Sequence, residues 1–166
     1  MILATDVDYK SGGGAGAVGV VFASWESGIP EDIVLKSIPR VEPYEPGQFF
    51  RRELPCLLEI IQAIPCRLSS VVIDGYVTLG DSGRPGLGIY LFEALGGSPP
   101  VIGVAKAPFR DTPEECRVYR GGSRNSLYVT SAGMPLEEAK RNIQSMHGQY
   151  RMPTMLKQAD RACRIF

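Results

Sequence analysis

The sequence has little histidine, no paired cysteine motif and no excess of charge of either sign. Its single histidine is His147, and no two of its four cysteines have C-x-x-C spacing. Zinc sites are built mainly from histidine and cysteine ligands, so these absences argue against one. The eighteen basic residues equal the eighteen acidic residues. The chain therefore has no overall field that attracts nucleic acid, and any such contact must be a local patch.

Long apolar runs and targeting signals are also absent. No run of about 18 apolar residues occurs, so we expect no membrane-spanning segment and no membrane partner. The first residues, MILATDVDY, have neither the basic start nor the apolar core of a signal peptide. The cysteines are too sparse for a disulfide framework. We interpret them as buried free thiols in a reducing cytoplasm: Cys56, Cys66, Cys116 and Cys163.

The length of the chain predicts one domain over residues 1–166, because 166 residues can build one sizeable core but not comfortably two. Three apolar, β-prone segments come first. The first covers residues 1–5 and stops at Asp6. The other two begin at Ala15 and Asp32. Their short connections predict a meander of three antiparallel strands.

Helices and strands alternate after the meander. Apolar residues recur at helical spacing over residues 52–64, and Pro65 closes that segment. Further helices are predicted over residues 87–95, 135–147 and 151–163, and further strands from Ser69, Pro100 and Ser126. The predicted fold class is α/β, with a central mixed sheet of an antiparallel meander plus parallel strands, flanked by helices.

A glycine run, SGGGAGAVG, follows the first predicted strand and raises the question of a nucleotide cofactor. Gly14, Gly16 and Gly19 fit the G-x-G-x-x-G pattern of a dinucleotide-binding loop. That loop must open a helix whose N-terminal N–H groups meet the pyrophosphate. The residues that follow, GVVFAS, are β-branched and aromatic and predict a strand instead. We therefore interpret the run as a hairpin turn between the first two strands.

Three acidic residues lie at or near the ends of predicted elements: Asp6, Glu53 and Asp74. Acids at the ends of adjacent strands converge at one edge of a sheet, and a hard divalent cation relieves their repulsion. Such an ion clamps a phosphodiester and activates water. Each acid also has a purely structural explanation, because Asp74 precedes Gly75 as in a turn and Glu53 complements a helix dipole. The residues alone leave both explanations open.

Several motifs together resemble the endonuclease V family. In chain order they are DVDY at 6–9, YEPGQFFRRE at 44–53, IDG at 73–75, IGVAK at 102–106, YVTSAG at 128–133 and YRMPTMLKQAD at 150–160. The resemblance covers nearly the whole chain and implies a ribonuclease H-like fold. It also implies a metal-dependent endonuclease that uses Mg²⁺ or Mn²⁺ and cleaves DNA or RNA near deoxyinosine or inosine.

The resemblance implies roles for individual residues. The implied metal-site acids are Asp6, Glu53, Asp74 and Asp160. The first three of them are also implied to be catalytic, together with Lys106, which stabilises phosphate charge, and Arg52, which positions the phosphate.

Other implied residues contact the nucleic acid. Tyr44, Pro46 and Gly47 fall in the family's wedge loop, which inserts where the modified base is extruded. Tyr44 can stack on or wedge beside a base. Gly75 opens the glycine-rich loop that shapes the family's inosine pocket.

The sequence also departs from the family's pattern. The family's loop contains His-Pro-Arg, whereas DGYVTLGDSGRPGLG has no histidine and is one residue longer, with Asp81 or Ser82 as candidates for the missing role. His147 falls in a later predicted helix, where a solvent-facing or capping role is expected. Glu45 puts a charge in the wedge loop, where an apolar residue is usual. The chain resembles a short, divergent member, and the alternative function is a catalytically weakened or inactive nucleic-acid-binding relative.

Overall fold

A meander of three antiparallel strands begins the fold, as the sequence predicts. The computed structural model describes residues 1–43 and 45–165. The meander consists of β1 (Ile2–Tyr9), β2 (Ala15–Phe22) and β3 (Asp32–Ile38). The prediction that β1 ends at Asp6 is wrong, because the strand continues to Tyr9, which pairs with Ala15. Backbone pairing with β2 extends β1 beyond the point where its side chains stop being apolar.

Strand β2 begins within the glycine run, so no helix starts there. A pyrophosphate site of the dinucleotide type needs that helix. The structure therefore excludes the nucleotide-cofactor explanation and confirms the hairpin turn.

Six further strands follow along the chain. They are β4 (Ser70–Asp74), β5 (Thr78–Leu79), β6 (Arg84–Pro85), β7 (Val101–Ala105), β8 (Arg117–Val118) and β9 (Leu127–Ala132). The main sheet has the order β3-β2-β1-β4-β7-β9-β8, and β5 and β6 form a separate hairpin that was not predicted. β4 is parallel to β1 and β7, whereas β9 is antiparallel to β7 and β8. The predicted mixed sheet is confirmed.

Among the described residues, four α-helices cover the two faces of the sheet. They are α1 (Phe49–Ala63), α2 (Leu87–Ala94), α3 (Leu136–Ser145) and α4 (Thr154–Ile165). Helices α1 and α2 pack on one face, called here the α1 face, and α3 and α4 pack on the other, the α4 face. Helix α1 begins at Phe49 rather than at Arg52, and it contains Pro55.

Side chains of β1 alternate between these two faces. Leu3 packs into the core of the α1 face, and Ala4 packs into the core of the α4 face. The period of two places Asp6 on the α4 face with Ala4. On the α1 face, a Cβ at Gly19 would lie 2.8 Å from Cγ2 of Ile60. The last glycine of the run therefore serves the close packing of α1 on β2.

The cysteines are all free, and three of them are buried. Cys66 is exposed, so the prediction that all four are buried is wrong at this position. It follows Pro65, beyond the end of α1, where the chain crosses the surface towards β4. Within the described residues, none of the helices is long and apolar enough to cross a membrane.

Candidate metal and nucleic-acid site

Three carboxylates meet where β1 and β4 stop pairing. Thr5 pairs with Ile73, so the next residues along the two parallel strands are Asp6 and Asp74. Helix α4 packs over β1 and contributes Asp160. One carboxylate oxygen from each acid lies within 4.8 Å of the others. This acid cluster offers only oxygen donors, the type that hard divalent cations such as Mg²⁺ prefer.

Burial and repulsion within the acid cluster together shift the pKa of Asp6. Burial, and next the charge of Asp74, raise the pKa of Asp6 to about 6. The N–H of Val7 donates to Oδ1 of Asp6 at 2.9 Å and opposes this rise only in part. A cation placed among these oxygens would remove the repulsion, so the donor set and its charge fit a divalent metal.

The pKa of Asp160 shifts in the opposite direction from that of Asp6. Burial disfavours its ionised form, but hydrogen bonds from Arg164 and Lys106 outweigh burial and lower its pKa. Arg164 lies one helical turn further along α4, and its guanidinium donates to Oδ1 of Asp160 at 2.9 Å. Asp160 is therefore a charged acid at the edge of the cluster.

Lys106 follows β7 and forms ion pairs with two of the acids. Its Nζ lies 2.9 Å from Oδ2 of Asp74 and 3.3 Å from Oδ1 of Asp160. Burial works against its charge, but the hydrogen bonds and charges of Asp74 and Asp160 raise its pKa. The lysine is thus a fixed positive charge beside the acid cluster.

Glu53 lies near the acid cluster but belongs to the α1 face. It is only 5% exposed, and the hydroxyl of Tyr9 donates to its Oε2 at 3.3 Å. Burial, and next the charge of Asp6, raise the pKa of Glu53 to about 8. The structure brings together three of the four predicted metal acids and leaves Glu53 outside the group within 4.8 Å. Its role as a ligand stays a prediction.

Arg52 packs against the ring of Tyr9. Its Cζ is 3.7 Å from the ring centroid, and its buried Nε has no hydrogen-bond partner among the described residues. This cation–π contact holds the guanidinium over the ring. Arg52 is therefore a preoriented donor close to Glu53.

An open cavity of about 530 Å³ is lined in part by Asp74, which also belongs to the acid cluster. We call it the aromatic cavity, and its walls include Gly47, Phe49, Phe50, Gly75, Tyr76, Tyr90 and Phe109. Phe50 and Tyr90 stack with ring centroids 3.8 Å apart. Gly75 turns the chain away from β4 at a φ of 127°, which a residue with a side chain rarely adopts.

The predicted wedge residues are distributed unevenly around this cavity. Gly47 lines it, whereas Pro46 is exposed and lies outside its lining. Tyr44 lies outside the described residues. Glu45 is exposed, and with Arg51 it lines a smaller neighbouring pocket.

No histidine replaces the one missing from the loop after Asp74. Nδ1 of His147 lies 2.9 Å from Oγ1 of Thr154 in the exposed turn between α3 and α4. The solvent-facing role is as expected, although the residue lies beyond the end of α3. Asp81 lines a separate polar pocket with Thr130 and Ser131, away from the acid cluster.

Several residues of the site were not singled out from the sequence. Tyr9 and Arg164 carried a signal, because Tyr9 belongs to the DVDY motif and Arg164 is spaced four residues from Asp160. Phe50 also carried a signal, because it belongs to the YEPGQFFRRE motif, but its stacking on Tyr90 of another helix arises only through tertiary packing.

The sequence of this chain is similar to those of known proteins. The family model for endonuclease V matches residues 1–132. The chain belongs to the endonuclease V family. An endonuclease V from Streptomyces coelicolor is 32% identical over 142 residues, covering 74% of this chain and 60% of that protein. This family member thus spans about three fifths of the length of that relative.

Solved structures agree with the family and confirm the ribonuclease H-like fold. Endonuclease V from Streptomyces avermitilis superposes with a TM-score of 0.78 at 26% identity, covering 99% of this chain and 79% of that one. The Ciona intestinalis enzyme, in complex with a 24mer DNA containing an inosine followed by a ribo-adenosine, superposes with a TM-score of 0.81 at 17% identity. That match covers 99% of this chain and 84% of the other.

Proposed function

We propose that this endonuclease V family member is a metal-dependent endonuclease that cleaves phosphodiester bonds of DNA or RNA near deoxyinosine or inosine. The observation that carries the proposal is the acid cluster of Asp6, Asp74 and Asp160 beside Lys106. Binding of inosine-containing DNA by the Ciona intestinalis relative supports the substrate class. We also propose that residues 1–166 act as one domain, and that the free cysteines reflect a cytoplasmic location.

The acids fit Mg²⁺ or Mn²⁺ as cofactor. Asp6, Asp74 and Asp160 would hold the ion, with Glu53 as a further acid from the α1 face. When bound, such an ion stabilises charge on phosphate oxygens and lowers the pKa of water. Burial, and next the charge of Asp74, raise the pKa of Asp6, and a bound ion would counter the second of these causes.

Two basic residues act on the phosphate. Nζ of Lys106 is the positive group within the acid cluster, and it can donate to a phosphate oxygen in place of Asp160, the longer of its two contacts. Arg52 offers a guanidinium that packs against the ring of Tyr9. Guanidinium groups bind phosphate through paired, planar hydrogen bonds, so Arg52 suits the positioning role.

The aromatic cavity is assigned to the base. Its volume of about 530 Å³ lies within the range of small-molecule pockets, and the stacked rings of Phe50 and Tyr90 offer a π surface to an extruded base. Gly47 and Gly75 let the backbone approach the base closely from two sides. Tyr44 and Pro46 are proposed to wedge the strand from the loop before α1.

A cleavage assay tests this function. End-labelled DNA and RNA oligonucleotides carrying one deoxyinosine or inosine are incubated with Mg²⁺, with Mn²⁺ or with chelator, beside matched adenosine controls. We expect metal-dependent cleavage near the inosine that Asp74→Asn abolishes and Asp81→Asn retains, because Asp81 lies outside the acid cluster. Cleavage at other sites would remove the base assignment and keep the nuclease.

The alternative is a nucleic-acid-binding protein without turnover. It is favoured by the loop after Asp74, which has no histidine, and by His147, which bonds to Thr154 away from the acid cluster. Absence of cleavage with either metal, in protein shown to be folded, would select this alternative. Fluorescence anisotropy would then show binding that Asp74→Asn preserves or strengthens, since the substitution removes a negative charge near the phosphate.

A further inference from the structure

Strand β3 is an open edge of the main sheet. It is the first strand in the order β3-β2-β1-β4-β7-β9-β8, and no other strand in the described part of the chain pairs with its outer side. Most of its residues are exposed, including the apolar Ile33 at 37% and Leu35 at 43%. The free backbone N–H and C=O groups of such a strand can pair with another chain.

The sequence of this edge is self-complementary when it runs antiparallel to itself. We call the segment Asp-Ile-Val-Leu-Lys, residues 32–36, the β3 edge. If Val34 faces Val34 of a second copy, Asp32 faces Lys36 of that copy and Ile33 faces Leu35. A two-fold axis through Val34 creates each of these contacts twice, as an isologous interface requires.

The two faces of the sheet separate these contacts by type. Val34 packs against the core of the α1 face, and the period of two puts Asp32 and Lys36 on that face beside it. Ile33 and Leu35 lie on the α4 face. Pairing would therefore place two opposite-charge pairs around a central valine pair on one face and two apolar pairs on the other. Cross-strand pairs of both kinds stabilise antiparallel sheets.

The charges of the β3 edge are unused within one molecule. Neither Asp32 nor Lys36 takes part in an ion pair with any residue that the structure describes. The side chain of Asp32 only accepts a hydrogen bond from the N–H of Ile33, at 2.8 Å. Both charges are therefore available to a partner strand.

We propose that two copies of this chain associate through their β3 edges, in antiparallel register about Val34, to form a two-fold symmetric dimer with one continuous sheet. The acid cluster lies at β1 and β4, with β2 between it and the β3 edge, so pairing leaves it open. The charge pairs set the register. A shift by one residue would place the α1 face of one copy beside the α4 face of the other.

Charge reversal provides a direct test by analytical ultracentrifugation. We expect the unaltered chain to sediment as a dimer. Asp32→Lys places lysine opposite Lys36, and Lys36→Asp places aspartate opposite Asp32, so each variant should weaken the dimer by about tenfold or more. An equimolar mixture of the two variants should recover a dimer, because the two lysines of one copy then face the two aspartates of the other. The double variant D32K/K36D should also recover it.

Glu93→Lys is the matched control, because it makes the same charge change on α2, on the opposite face of the sheet from α4 and away from β3. It should leave the dimer intact, and circular dichroism melting should show that all variants are folded. A monomeric unaltered chain would overturn the proposal. So would single variants that stay dimeric, which would indicate another surface, or a mixture that stays monomeric, which would indicate that Asp32 and Lys36 do not face each other.

Discussion

The acid cluster and the aromatic cavity meet at Asp74 but are built in different ways. Asp6 and Asp74 end the pairing of two parallel strands whose preceding residues are buried, so their separation is set by sheet geometry. The cavity is assembled from the starts of two helices and the loops beside them. Reactive groups on strands are positioned rigidly, whereas recognition groups on loops can vary between relatives. The loop after Asp74, in which the family resemblance implies a histidine that this sequence lacks, belongs to the loop-built cavity.

Asp6→Asn should disrupt the acid cluster, which is the strand-built half of the site, and should have the largest effect on the cleavage rate. It removes a carboxylate from the acid cluster, so cleavage should fall by about a hundredfold or more. Single-turnover rates with saturating Mn²⁺ measure this loss. Asp8→Asn is the matched control two residues away, because Asp8 pairs with Lys10 and lies outside the cluster. Equal losses in both variants would contradict the assignment of Asp6.

Tyr90→Ala should affect the loop-built half. It removes one of the two stacked rings of the aromatic cavity, and stacking on a base contributes about 1–3 kcal/mol, so the affinity for an inosine-containing oligonucleotide should fall by roughly tenfold. Fluorescence anisotropy with that oligonucleotide measures the affinity. Tyr90→Phe should retain it, and Tyr119→Ala, at an exposed position outside the cavity, should not change it. A loss of all cleavage would show that the two halves are not separable.

The rise in Tm on metal binding should depend on the acid cluster and not on the aromatic cavity. At about 100 times its Kd, a ligand of the folded state adds about 2.7 kcal/mol, which for a chain of this size raises Tm by roughly 5 to 10 °C. Differential scanning fluorimetry with Mn²⁺ should show this rise for the unaltered protein and for Tyr90→Ala. Asp74→Asn should lose most of it. The same rise in all three proteins would place the bound ion elsewhere.

The smallest expected effect concerns the reactivity of the cysteine thiols. It compares the buried thiols of the core with the exposed thiol of Cys66. Burial raises the pKa of Cys56 to about 11 and that of Cys163 to about 12, and it also raises the pKa of Cys116. At pH 8 we expect one fast-reacting thiol with a disulfide reagent. Cys66→Ser should remove it without changing Tm. Two or more fast thiols would indicate that the buried frame opens readily.

The sequence predicted the strand-built half better than the loop-built half. Apolar runs that end at Asp74 and before Lys106 indicated which residues meet at the sheet edge. The continuation of β1 past Asp6 was missed, since backbone pairing with β2 does not require apolar side chains. The hairpin of β5 and β6 was missed because its two-residue strands carry no periodicity. The position of Glu53 across the sheet from Asp160 depends on which helix covers which face, and no local pattern encodes that.

The ion pairs of Lys106 make the site partly neutral before any metal arrives. An ammonium group between Asp74 and Asp160 acts as an internal counter-ion for those two carboxylates. The same group would compete with an incoming cation for those oxygens. A cation entering the proposed metal site would thus replace one positive charge with another, and it would leave the displaced lysine beside the place where a phosphate would bind.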